Sequence, residues 1–129
     1  MTGYTKKNLK EVEDSAPKFG LSPHLEARFA RKDLMGESLG LSYQRIAPNF
    51  RVPFGHRHRD QEEVYVLLSG TAHLKLDDEV VELAPWDAVR IDSETMRGIQ
   101  AGPEGAELLA FGAGTDQGDA ELLQGWWSA

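Results

Sequence analysis

Cysteine is absent from the 129 residues, which excludes disulfides and thiolate-ligated metals. Basic residues are scarce: 14 Lys plus Arg stand against 21 Asp plus Glu, a net charge of -7. Nucleic-acid affinity rests mainly on phosphate neutralisation, and docking on an anionic bilayer needs clustered basic residues. An acidic chain with no basic run is expected to do neither. No apolar run approaches the ~20 residues that span a bilayer. The first ten residues carry lysines with no apolar segment behind them, unlike a secretory signal, so a cytoplasmic protein is the default expectation. Helical periodicity is missing as well, because no run of ten or more residues before the tail has clear 3.6-residue spacing.

What remains is strand-like. The length suits one domain with one core. Residues 1–20 are polar with mixed charge (Lys6, Lys7, Lys10, Glu11, Glu13, Asp14) and read as an arm rather than as core. In residues 22–29, Ser22-Pro23 resembles a helix start. Yet Leu25, Ala27 and Phe29 alternate with His24, Glu26 and Arg28, which is strand periodicity, and a strand is the favoured reading. Leu39, Leu41 and Tyr43 alternate next, and Pro48-Asn49 marks a turn. Val64–Leu68 is a dense β-forming run that should stop at Ser69-Gly70. Further strands are expected around Leu74, at 80–83, 88–91, 98–101 and 108–111. Turn signals recur every ten residues or so, the rhythm of a sandwich or barrel. The tail from Gly112 ends in Trp126-Trp127, a pair that favours burial. Packing on the barrel or on a partner subunit is the plain reading, and a lid over a pocket is the alternative.

The segment that carries chemistry runs from Gly55 to Gly70. Residues i and i+2 of a strand point to one face, so His56 and His58 can aim both imidazoles at one point. Arg59 to Glu62 allow a bend, after which Glu63 can present a carboxylate to the same point. Two imidazoles and a carboxylate with open positions suit Fe, Mn, Ni or Zn as divalent ions. Against this, a His-x-His set among arginines can equally be a solvated basic patch. His24 and His73 lack partners at metal spacing and read as surface or edge residues. Tyr65 has the parity of Glu63 and either orients a ligand or simply fills the barrel. Tyr43 is expected at the pocket mouth. Arg57 and Arg59 belong to a charge cluster that could steer an acidic substrate.

His-x-His, four residues, Glu, six residues, Gly resembles the first motif of the cupins, with His56, His58, Glu63 and Gly70 in its defining positions. The resemblance covers roughly residues 38–112. It implies an all-β fold, the double-stranded β-helix or jelly-roll-like cupin barrel, with the functional pocket inside it. On this reading residues 1–37 form an N-terminal arm with a possible edge strand, 38–112 the barrel, and 113–129 a tail. The resemblance also implies a homodimer that pairs N-terminal strands, covering an exposed edge.

The second cupin motif is degenerate here. Trp86 stands where glycine is usual, Asp92 where proline is usual, Glu94 at the second glycine, and Arg97 replaces the histidine that would be the fourth metal ligand. Arginine stays protonated and has no lone pair for a metal. Arg97 could bind an anionic ligand bidentately, could hold Glu63 as an ion pair, or could swing out to solvent and leave the fourth position to water. Fold does not fix function, and two functions stay open. One is a small-molecule-binding protein, or metal-dependent enzyme, with a divalent ion on His56, His58 and Glu63. The other is a metal-free, non-enzymatic binding protein that holds a small anion against Arg97.

Overall fold

The computed structural model describes residues 3–114 and 120–128. Eight strands appear among them: β1 (Leu25–Phe29), β2 (Leu39–Ile46), β3 (Phe54–Arg57), β4 (Glu62–Leu76), β5 (Glu79–Leu83), β6 (Ala88–Ile91), β7 (Arg97–Ala113) and β8 (Glu121–Gln124). One helical turn, α1 (Arg31–Leu34), and three short 3-10 turns complete the described elements. No described helix is long and apolar enough to cross a membrane.

β4 and β7 organise the barrel. They pair antiparallel along most of their length, and each passes through both layers. In one layer the order is β1, β2, the C-terminal half of β7, the N-terminal half of β4, then β6. In the other it is β8, β3, the N-terminal half of β7, the C-terminal half of β4, then β5. The strands bend between layers at register shifts between Leu67 and Ser69 and between Gly70 and Ala72. Such bulges bend a strand and add twist. Gly70 has φ +75°, and a Cβ there would lie 1.9 Å from the Gly105 carbonyl oxygen. Only glycine fits that crossing.

This corrects one expectation. The strand beginning at Val64 does not stop at Ser69-Gly70, and residues 98–101 and 108–111 are not separate strands. Each pair is one long strand, because a bulge bends the backbone while the ladder resumes beyond it.

The core lies between the layers, built from Ile46, Leu67, Leu74, Ile91, Leu108 and their neighbours, all buried. The arm is not wholly outside it. Val12 and Ala16 are buried, and Asp14 Oδ1 accepts from the Ala16 and Ala27 backbone N–H groups at 3.0 and 2.9 Å. The segment at 22–29 is a strand, β1, paired with β2 from Leu25↔Ile46 to Phe29↔Ser42. At the other end β8 pairs with β3, and Trp126 lies over Gly55 and Gly98 on the outside of that layer. Lys75 Nζ is 4.2 Å from the Trp126 ring centroid, and Arg51 Cζ is 4.5 Å from that of Trp127.

Candidate metal centre and cavity

Strand alternation sends His56 inward from β3, where its ladder partner is Arg97, the first residue of β7. His58 lies just past β3 and is fixed by its backbone N–H donating to the Ser93 carbonyl at 2.7 Å. Glu63 is the second residue of β4 and points inward with Tyr65. Three elements therefore converge on one carboxylate oxygen. Glu63 Oε1 lies 3.4 Å from His56 Nε2, 3.2 Å from His58 Nε2 and 3.1 Å from Arg97 Nη1.

The ligand atoms of His56, His58 and Glu63 all lie within 4.8 Å of one another. Ligands roughly 2.0–2.2 Å from a common ion stand about 3–4 Å apart; the two separations from Glu63 Oε1, 3.4 and 3.2 Å, fall in that span. The chemistry fits too, since two imidazoles and a carboxylate are the donor set of catalytic three-ligand sites.

The fourth position is different. Arg97 is fully buried, so it does not swing out to solvent; that reading is overturned. Its Nη1 donates to Glu63, and its Nη2 donates to the Asp92 carbonyl at 2.6 Å. The fork that would grip an anion bidentately is already engaged. The Arg97 Nε is buried with no acceptor among the described residues.

The electrostatics follow. Burial pushes the Glu63 carboxyl up, but hydrogen bonds from His56 and His58, with their charge, outweigh it and hold the group at about 2. Burial pushes the Tyr65 phenol up, and the adjacent Glu63 carboxylate pushes it further. Tyr65 is thus a neutral O–H at physiological pH.

These groups line a cavity of about 520 Å³. Its walls are mainly apolar, built from Leu25, Val52, Phe54, Ile99, Leu108 and Leu122 of β8 among others. Gln61 also faces in. Its parity with Glu63 and Tyr65 is the sequence signal for it, one that the metal-ligand spacing alone does not pick out. Gln61 fits because Gly112 has no side chain: a Cβ there would lie 1.7 Å from Gln61 Nε2.

Tyr43 is not at the pocket mouth. Its neighbours Ser42 and Gln44 face the cavity, so alternation turns Tyr43 to the outer face, where its hydroxyl donates to Glu107 and accepts from Lys10 Nζ at 3.1 Å. Glu62 faces away and pairs with Arg90 at 3.1 Å. Arg57 pairs with Glu121 at 3.0 Å. His24 stacks on Phe50, and His73 meets Glu82 at 3.2 Å.

Comparison with known proteins agrees with this architecture. The family described as "Cupin domain" matches residues 42–112. A cupin protein from Bacteroides fragilis superimposes with TM-score 0.72 at 23% identity, over 91% of this chain and 89% of that one. A variant of oxalate decarboxylase from Bacillus subtilis gives TM-score 0.79 at 20% identity, over 95% of this chain and 33% of that one. This chain thus spans about a third of the decarboxylase. KdgF from a Halomonas species gives TM-score 0.63 at 14% identity, over 74% and 85%. No curated protein matches by sequence.

Proposed function

The chain belongs to the cupin family, and from that premise we propose that its barrel binds a small molecule beside a divalent ion held by His56, His58 and Glu63. The carrying observation is the convergence of both imidazole Nε2 atoms on Glu63 Oε1, at 3.4 and 3.2 Å. Fe, Mn, Ni and Zn all suit this donor set. When bound, such an ion supplies Lewis acidity or activates oxygen. The protein's own contribution is positional. Ser93 fixes the backbone of His58, Arg97 holds Glu63, and the apolar walls exclude water from whatever binds. Those walls make oxalate, named for one structural neighbour, a poor match to this cavity.

The test is metal analysis of protein purified without a metal-affinity tag. Near-stoichiometric Fe, Mn, Ni or Zn that is lost in His56→Ala supports the reading. No metal, and no uptake at neutral pH, overturns it.

A second reading has its own observation. Arg97 Nη1 already lies 3.1 Å from Glu63 Oε1 and neutralises it, as in a metal-free binding site. On that reading the cavity is a non-enzymatic binding pocket. A homodimer is part of either reading, supported by exposed apolar side chains such as Phe29 and Leu39. Light scattering on purified protein checks it.

A further inference from the structure

Resting on the metal reading above, we propose that Arg97 makes metal uptake depend on an anionic co-ligand, and that this co-ligand is an amphipathic monocarboxylate whose hydrocarbon body fills the cavity.

Glu63 is the only carboxylate in the ligand set, and the fully buried Arg97 guanidinium at 3.1 Å cancels it. Histidines bind metals as neutral imidazoles. A divalent ion entering here would keep both positive charges against a mainly apolar cavity wall. Uncompensated charge is strongly disfavoured in such a place. An anion that enters with the ion relieves this, and each then raises the affinity of the other by the same factor.

The cavity decides what kind of anion. A hydrated inorganic ion gains nothing from walls of Leu25, Val52, Phe54, Ile99 and Leu108. A hydrocarbon body does, by about four-fold in affinity for each methylene buried. The volume of about 520 Å³ lies in the range of roughly 300–1,000 Å³ usual for sites of drug-sized ligands. The lining joins the Arg97–Glu63 pair to a mainly apolar wall, with Ser42, Gln44, Gln61 and Arg31 among its other polar residues, a chemistry that suits a molecule with one charged head on a hydrocarbon body. The buried Arg97 Nε, which has no acceptor among the described residues, adds positive potential beside Glu63.

The experiment titrates the full chain with Mn(II) at neutral pH by calorimetry, alone and with decanoate or acetate. Decanoate should tighten Mn(II) binding at least ten-fold, Mn(II) should tighten decanoate binding by the same factor, and acetate at equal concentration should do neither. Arg97→Gln should bind Mn(II) without needing the carboxylate. Because a buried arginine is replaced there, Ser42→Leu is the second variant. Ser42 lines the cavity, and the larger side chain should remove at least ten-fold of the decanoate effect. Equal Mn(II) affinity with and without decanoate overturns the proposal and leaves the metal site standing. Acetate as effective as decanoate overturns it as well. Absence of Mn(II) binding under every condition overturns the metal reading itself.

Discussion

Arg97 bridges Glu63 and Asp92: its Nη1 lies 3.1 Å from Glu63 Oε1 and its Nη2 lies 2.6 Å from the Asp92 carbonyl oxygen. The arginine is fully buried, so removing it strands a buried carboxylate and a backbone acceptor together. Breaking a buried pair from one side typically costs about 3–5 kcal/mol. Arg97→Ala should therefore lose stability on that scale in urea unfolding at pH 7. A loss below about 1 kcal/mol, the scale of an exposed pair, would show that Arg97 reaches solvent.

The same position tests the fourth ligand. Arg97→His replaces a fixed cation with an imidazole that can donate a lone pair, next to His56, its ladder partner. Affinity for Zn(II) or Mn(II) should rise by at least ten-fold, read by calorimetry. An unchanged affinity would mean that residue 97 does not face the ion.

The sequence carried the barrel and the inward triad because both depend on alternation and spacing. Residues 56, 58 and 63 could be put on one face by counting, and so could Gln61. The fate of Arg97 could not be read that way. Its burial comes from pairing across β3 and β7 and from a bond to the backbone oxygen of Asp92, which no residue pattern encodes. The face of Tyr43 is hidden for a related reason: an aromatic in an alternating run marks a strand, but not which face is the cavity. Local propensity reads Gly70 as a stop because bulges are invisible to it; the long-range contact with Gly105 keeps the strand going.

Trp86 occupies the position where the second cupin motif usually has glycine, and its φ is +75°. A side chain in this left-handed region costs about 1–2 kcal/mol, while glycine gives back roughly 0.4–1 kcal/mol through a freer unfolded chain. The indole is 76% exposed, so little packing is lost. Trp86→Gly should raise stability by about 0.5–1 kcal/mol in chemical denaturation on this arithmetic. Trp86→Ala keeps a Cβ and should not. Equal behaviour of the two variants would show that the strain is not there.

Gly55 and Gly98 form the seat of Trp126. A Cβ on Gly55 would lie 2.6 Å from Trp126 Cδ1, and one on Gly98 would lie 2.7 Å from the same atom. Gly55→Ala should push the indole off the barrel, at a cost of about 1 kcal/mol, the low end for overpacking. Tryptophan emission should shift to the red, since Trp86 is already exposed and contributes no change. Emission identical to the parent would mean that Trp126 packs elsewhere in solution.

Glu107 gives the acid limb of stability a specific source away from the cavity. Hydrogen bonds from Tyr43 and Ser69 hold its carboxyl below the ordinary value of 4.5, outweighing partial burial. A carboxyl lowered on folding adds stability that is fully present above its unfolded value and is lost as pH falls through the lowered one. Parent protein should therefore lose stability as pH drops below about 4.5. In Tyr43→Phe the largest hydrogen bond to Glu107 is gone, so the carboxyl should return toward 4.5 and its part of the acid loss should shrink. Because Tyr43 is turned to the outer face, metal uptake at neutral pH should match the parent. Urea midpoints from pH 3 to pH 7, with a Mn(II) titration at pH 7, decide both points. A Tyr43→Phe variant that keeps the parent acid limb but loses metal would put the tyrosine back at the cavity.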